Sequence, residues 1–233
     1  MRRNELEAMG ADPSPTARWT TVVEWYRAGR MASSEELNAL VNETWALARS
    51  PARDAGMSPS DLVHMFRTAG FITNREHGGP PPGPMRLYRG ATRAGVVGFS
   101  WSPNRILASG FAGIAEFKHG SGQGVLCEAV VEPRQMLGIY YQPEEEVIVD
   151  PLTLSPADMV IIPATTPRVL RDSVALMRWI YATQALQRGL KQAGVRWIPG
   201  SSVTVGKRSL RPLVAEFNRW QSQVEAACLL HPY

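Results

Sequence analysis

The sequence has few cysteines, no long apolar run, and no apolar segment behind its basic start. Only Cys127 and Cys228 occur among 233 residues, which argues against a disulfide framework and favours a reducing compartment. No apolar stretch reaches the roughly 18 to 20 residues that a membrane-spanning helix needs. The opening MRRNELEAMGADPSP is polar, so we expect no signal peptide there. These absences predict a cytoplasmic protein with no membrane partner.

Metal-binding patterns are missing as well. Neither cysteine has a CxxC neighbour, and the four histidines are scattered without ligand spacing. We therefore predict that the protein holds no metal. The composition, with 44% hydrophobic and 20% charged residues, is that of an ordinary globular chain.

Positive charge is concentrated in one part of the chain. The net charge is +4, and the segment 168–211 contains nine Lys or Arg residues but one acid, Asp172. Trp179, Tyr181 and Trp197 are interleaved with these cations, as in surfaces that bind nucleic acid or an acidic partner. The alternative is a helix with a solvated cationic face and its aromatic residues in the core, which the pattern alone favours.

Helical signals fill residues 12–80. Ser33 and Glu36 form a capping box before an apolar series of helical spacing, and Ser58-Pro59 begins a second helix that Gly70 ends. An earlier amphipathic stretch surrounds Trp19. The loop GGPPPGP at 78–84 then marks a change of architecture, because it fits neither a helix nor a central strand.

Short strand patterns fill residues 85–163, and helical periodicity returns over 167–233. The strands are MRLYRG, GVLCEAVVE, QMLGIYY, EEVIVD and DMVII, with one helical segment, NRILASGFAGIAEF, among them. VRWIPGSSVTVG is a further candidate for one or two strands, before a last helix from about Leu213 to Leu229. Helices followed by clustered strands predict an α+β fold, which we treat as a single domain over 1–233.

Three polar features lie at the edges of these strands. Arg89 ends an apolar strand in LYRG, Ser100 and Ser102 flank a tryptophan in GFSWS, and three glutamates at 144–146 precede VIV. Alternate side chains of a strand share a face, so Glu144 and Glu146 are expected to face one cleft about 7 Å apart. Two carboxylates at that spacing suit glycosidic chemistry, in which one stabilises a cationic sugar.

LYRG, GFSWS with its following helix, and Glu-x-Glu running into EVIV occur here in that order. Together they resemble the arginine–serine–glutamate class of mono-ADP-ribosyltransferases, which includes toxins, ecto-enzymes and phage enzymes. The resemblance covers mainly 85–162, about a third of the chain. It implies a split mixed β-sandwich that binds NAD, with N-terminal helices and a C-terminal helical extension.

The resemblance also implies roles for the residues that would bind NAD. Arg89 would hold the NAD phosphates, which suits a planar guanidinium, and Gly90 would let the backbone approach the nicotinamide amide. Ser100 would bond near the nicotinamide ribose and aim the catalytic glutamate, while Ser102 supports the turn and caps the following helix. Phe111 lies near the family's nicotinamide-stacking aromatic. Phe117 competes for that role, and core burial is the leading expectation for both.

The acidic triplet would provide the catalytic groups. Glu146 would bond the ribose 2′-hydroxyl and stabilise the oxocarbenium-like state, and Glu144 would deprotonate the incoming nucleophile. In the family, a glutamate at the position of Glu144 accompanies arginine acceptors. Glu145 is expected to be a solvated charge. Tyr141 would contact the acceptor, although Tyr140 and Tyr141 are equally suited to core packing.

The sequence therefore predicts transfer of ADP-ribose from NAD to an arginine of a target protein, in the host cytoplasm if the chain is phage-encoded. A DNA or RNA acceptor is the main alternative, supported by the basic segment. NAD hydrolysis and a binding module without catalysis are further alternatives. Residues 144–146 would then be charged because positive charge develops beside them, and their mutual repulsion would cost stability, as is typical of active sites.

Overall fold

The computed structural model describes residues 14–45, 51–75, 78–120, 122–141 and 146–170, and beyond these only 172–174, 178, 182, 190, 212 and 214–219. The chain divides into two compact units. Unit 1 comprises 1–87, 97–103 and 129–159, and unit 2 comprises 88–96, 104–128 and 160–233. In chain order the elements are α1 Pro15–Arg27, α2 Ser34–Trp45, α3 Pro51–Asp54, α4 Pro59–Ala69, β1 Ile72–Thr73, β2 Met85–Thr92, β3 Ser100–Trp101, α5 Arg105–His119, β4 Gly124–Val131, β5 Met136–Tyr140, β6 Glu146–Val149 and β7 Val160–Pro163.

The helices of unit 1 begin where the sequence signals place them. The Ser14 and Ser58 side chains accept hydrogen bonds from Ala17 N and Asp61 N, and Pro stands at the first turn of α1 and α4. The Ser33 hydroxyl accepts from Glu36 N at 3.2 Å at the start of α2. Each cap satisfies a backbone N–H that the first turn leaves unpaired, so the helix starts predicted at Ser33 and Ser58 are confirmed.

An aromatic cluster forms the core of unit 1. Trp45 of α2 makes edge-to-face contacts with Trp19 of α1 at 5.4 Å and with Phe66 of α4 at 4.9 Å between ring centroids. Phe99, just before β3, lies 6.0 Å from Trp45 and 6.3 Å from Phe66. These four side chains are buried and belong to the same core as Ile148 of the sheet. The helical segment and the strands of unit 1 therefore share one hydrophobic core.

The sheet of unit 1 has the order β1-β5-β6-β3. β1 is parallel to β5, whereas β5–β6 and β6–β3 are antiparallel. The ladders bring residues 72–73, 100–101, 136–140 and 146–149 side by side although they are distant in sequence. The strands that carry Ser100 and Glu146 are therefore neighbours in space.

Unit 2 contains α5, β7, residues 88–92 of β2 and residues 124–128 of β4. The three strands form a sheet of order β2-β4-β7, with β4 and β7 antiparallel. Tyr88 of β2 and Leu126 of β4 pack with Ala108 and Ala112 of α5. Small residues on the helix let the strands approach its backbone closely. Glu116 of α5 accepts hydrogen bonds from Gly122 N and Gly124 N, both at 2.7 Å, and so ties the following turn to the helix. These two hydrogen bonds lower the pKa of Glu116, and the bond from Gly124 has the larger effect.

The α+β prediction is confirmed: the described residues form helices and two small sheets. Helical residues also occur at 167–170, 172–174 and 214–219, within the predicted C-terminal helices. VRWIPGSSVTVG and most of the basic segment lie outside the described residues. Within the residues described, every helix is too short or too polar to cross a bilayer.

Gly90 of β2 is required by packing against α5. A Cβ at this position would lie 1.9 Å from the Ala108 carbonyl oxygen and 2.4 Å from Ala112 N, which are backbone atoms that cannot rotate away. We expect Gly90→Ala to lower the free energy of unfolding by at least about 2 kcal/mol, through strain between β2 and α5. Urea denaturation followed by circular dichroism measures this.

Gly83 supplies the control for that substitution. A Cβ there would meet no atom within 4 Å, so Gly83→Ala should change stability little. Equal stability of the Gly90 and Gly83 variants would contradict the close packing of β2 on α5.

Candidate active site

Glu146 is the first residue of β6, and two partner strands flank it. In the β5–β6 ladder it lies opposite Tyr140, and in the β3–β6 ladder Ser100 pairs with Ile148 and Trp101 with Val147. Opposed residues, and residues two apart on a strand, share a face of a sheet. Ser100 and Glu146 are thus brought to one face of two adjacent strands.

The Glu146 carboxylate is oriented by a side chain from the helical segment. The Trp45 indole Nε1–H donates to Glu146 Oε1 at 3.2 Å. Trp45 is 1% exposed and Glu146 is half-buried, so the bond is shielded from bulk water. A hydrogen bond to an ionised acceptor in a shielded site is stronger than one between neutral groups. Nothing in the helical spacing around Trp45 reveals a partner 101 residues away.

Tyr140 is the buried member of the tyrosine pair. Its hydroxyl donates to the Asn42 carbonyl oxygen at 3.3 Å, and the residue is 4% exposed. Burial, and secondly the negative charge of Glu146, raise the pKa of Tyr140 well above its usual range. The phenol therefore stays protonated at neutral pH and acts as a donor rather than as a base.

Tyr141 is less buried than Tyr140. It is half-buried, its backbone N–H donates to Asn74 Oδ1 at 3.0 Å, and the Arg75 guanidinium lies over its ring at 3.5 Å from the centroid. Of the two tyrosines, Tyr141 is therefore the one with a ring outside the core. That ring already holds a guanidinium, which is the chemical group of an arginine acceptor.

Arg89, on β2 in unit 2, is half-buried, and its Nε–H donates to the Gly95 carbonyl oxygen at 3.0 Å. Its strand neighbour Gly90 faces α5, so Arg89 points to the opposite face of the sheet. Cys127 of β4 is near it and buried. Burial raises the pKa of the Cys127 thiol to about 11, against the opposing effect of the Arg89 charge. The guanidinium is thus held in a partly desolvated place, where it binds anions more strongly than in water.

Two expectations about this region are wrong. Phe111 and Phe117 of α5 are not core residues, since they are 47% and 90% exposed. Ser102 does not cap α5: Asn104 does, its Oδ1 accepting from Ile106 N at 3.1 Å and Leu107 N at 3.2 Å. The polar residue immediately before the helix is better placed to cap than a serine two residues further from it. Ser102 is instead buried, at 7% exposure.

The structure therefore groups only part of the predicted site. Ser100, Ser102, Tyr141 and Glu146 belong to unit 1, whereas Arg89, Gly90 and Phe111 belong to unit 2. Glu144 and Glu145 lie outside the described residues. Convergence of Arg89 and Glu146 on one NAD molecule stays a prediction. Among the residues that are described, no group of three or more His, Cys, Asp or Glu is arranged to hold a metal ion.

Comparisons with protein-family models, with curated proteins and with solved structures gave no match.

The cap assignment of α5 can be tested by substitution. Asn104→Ala removes the acceptor for two first-turn N–H groups and should lower the free energy of unfolding by about 1 kcal/mol. Asn104→Ser keeps a capping oxygen and should retain most of the stability. Thermal or urea denaturation of both variants decides this, and equal losses would contradict the capping role.

Proposed function

We propose that the protein is a mono-ADP-ribosyltransferase of the arginine–serine–glutamate class, with a split β-sandwich of that type. It would transfer ADP-ribose from NAD to a protein arginine and release nicotinamide. The observation that supports the proposal is the pairing of β3 with β6, which sets Ser100 opposite Ile148 on the strand that begins with Glu146. The paired residues are 46 and 48 positions apart in the sequence.

The proposed reaction breaks the bond between C1′ of the nicotinamide ribose and the pyridinium nitrogen. The electron pair of that bond leaves with nicotinamide, which becomes neutral, and positive charge develops on the ribose. The Glu146 carboxylate would stabilise this charge and accept a hydrogen bond from the 2′-hydroxyl. An acceptor nitrogen then bonds to C1′ and loses a proton, for which Glu144 is the proposed base.

The other predicted site residues would bind NAD and orient it. Arg89 would pair with the NAD pyrophosphate, and its partly desolvated position supports that role. Phe111, 47% exposed on α5, is accessible for stacking on the nicotinamide ring. Gly90 has a packing reason of its own, so its role toward NAD rests on the resemblance alone.

Two features support arginine as the acceptor. One is the glutamate at position 144, which accompanies arginine acceptors in the family, and the other is the ring of Tyr141. The Tyr141 ring face binds the Arg75 guanidinium within the chain, so the same face has suitable chemistry for an acceptor arginine. A nucleic-acid acceptor is the second candidate, favoured by the nine cations of the segment 168–211.

Glu146→Gln provides the first functional test. Glutamine keeps an oxygen that can accept from the Trp45 indole, so the fold should survive while the charge is lost. Nicotinamide release from NAD should fall by at least about 100-fold, as for the loss of one group that stabilises the transition state. The assay uses labelled NAD with cell extract as the acceptor source, and it records whether label follows protein or nucleic acid.

Glu24→Gln, on an exposed site of α1, is the matched control and should retain full activity. No nicotinamide release by the unmodified chain with any acceptor would refute the proposed activity. Label on nucleic acid, with a steep loss of transfer at higher salt, would establish the second candidate instead.

Glu144→Gln separates transfer from hydrolysis. Without the proposed base, transfer to an arginine peptide should fall at least about 100-fold, whereas hydrolysis of NAD with water as the acceptor should persist. Glu145→Gln is the neighbouring control and should leave both rates unchanged. Mass spectrometry of the peptide and chromatography of free ADP-ribose measure the two products. Equal effects of the two substitutions would contradict the assignment of Glu144.

A further inference from the structure

We propose that Trp45 is a positioning residue for Glu146, so that the N-terminal helix α2 is part of the catalytic machinery. This inference rests on the proposed function, because it concerns the carboxylate assigned to that reaction. Neither the acidic triplet nor the strand pattern includes residue 45, and the resemblance covers mainly 85–162. The Trp45–Glu146 hydrogen bond of 3.2 Å is the starting observation.

The indole is held rigidly. Its ring is 1% exposed. It makes edge-to-face contacts with Trp19 of α1, with Phe66 of α4 and with Phe99 next to β3. A buried ring packed on several sides has one available rotamer, so its N–H points in one direction. The carboxylate that accepts from this N–H is aimed without a large entropy loss when substrate binds.

A second hydrogen bond joins α2 to the sheet at the level of Glu146. The Tyr140 hydroxyl donates to the carbonyl oxygen of Asn42, one turn before Trp45. Tyr140 and Glu146 lie directly opposite each other in the β5–β6 ladder. The helix is therefore tied to both strands at the level of the proposed catalytic residue. With Oε1 held by the indole, the direction of the second carboxylate oxygen is set as well.

Two other buried tryptophans of unit 1, Trp19 and Trp101, donate their indole N–H to backbone carbonyl oxygens. Trp19 donates to the Pro51 carbonyl oxygen at 2.7 Å, and Trp101 donates to that of Gly98 at 2.8 Å. Trp19 lies in the same aromatic cluster and is 0% exposed. Trp19→Phe therefore removes a comparable ring and donor without touching Glu146, and it is a matched control for Trp45→Phe.

The experiment measures nicotinamide release at saturating and subsaturating NAD for the full-length chain, Trp45→Phe and Trp19→Phe, below the unfolding temperature of each. We expect Trp45→Phe to lower kcat at least about tenfold with KM for NAD changed less than about threefold, since the bond aims a transition-state group. Trp19→Phe should keep kcat within about threefold. In a Glu146→Gln background, Trp45→Phe should have no further effect on kcat.

A second variant keeps the proposal testable if phenylalanine disrupts the core. Incorporation of 3-benzothienylalanine at position 45 replaces the N–H by sulfur with nearly the same shape, and it should reduce kcat while leaving the melting temperature close to that of the unmodified chain. Unchanged kcat with this residue, or equal losses for Trp45→Phe and Trp19→Phe, overturns the positioning role while the proposed function stands. If the unmodified chain releases no nicotinamide, the proposed function fails, and the positioning role fails with it.

Discussion

The burial of Trp45 between helices and strands is the constraint on which unit 1 depends. Its ring contacts aromatic residues of α1 and α4 and the segment before β3, and its indole N–H reaches the first residue of β6. One side chain thus combines hydrophobic packing with a polar tie to a carboxylate that could not be buried alone without a large desolvation cost. The helical segment and the sheet of unit 1 consequently share one hydrophobic core.

Local chemistry made much of the fold predictable. Caps such as Ser58, the proline loop at 78–84 and the strand patterns each encode their element in neighbouring residues, and the structure follows them. What could not be predicted involves partners distant in sequence. The parallel pairing of the two-residue strand β1 with β5 has no local signal, and neither has the contact between Trp45 and Glu146.

The candidate site was predictable only in part for the same reason. Glu146 at the start of a strand and Ser100 at the edge of another were readable from strand patterns, and their adjacency comes from the β3–β6 ladder. Asn104 and Ser102 show how close local alternatives compete: both are suitable caps by residue type, and only distance from the first helical N–H groups decides between them. The exposure of Phe111 was missed because an apolar side chain at helical spacing is usually buried.

Unit 2 follows a different rule, in which the absence of side chains creates the packing. Gly90 and Gly124 let two strands approach the backbone of α5, where a Cβ would meet carbonyl oxygens of Ala108 and Ala112 at 1.9 Å and 2.3 Å. Cys127 lies on β4 near Gly124, completely enclosed. Because burial holds its pKa at about 11, almost none of the thiol is thiolate at neutral pH, and thiolate is the form that oxidants attack. The Cys127 thiol is therefore a poor target for oxidants for as long as the sheet stays closed.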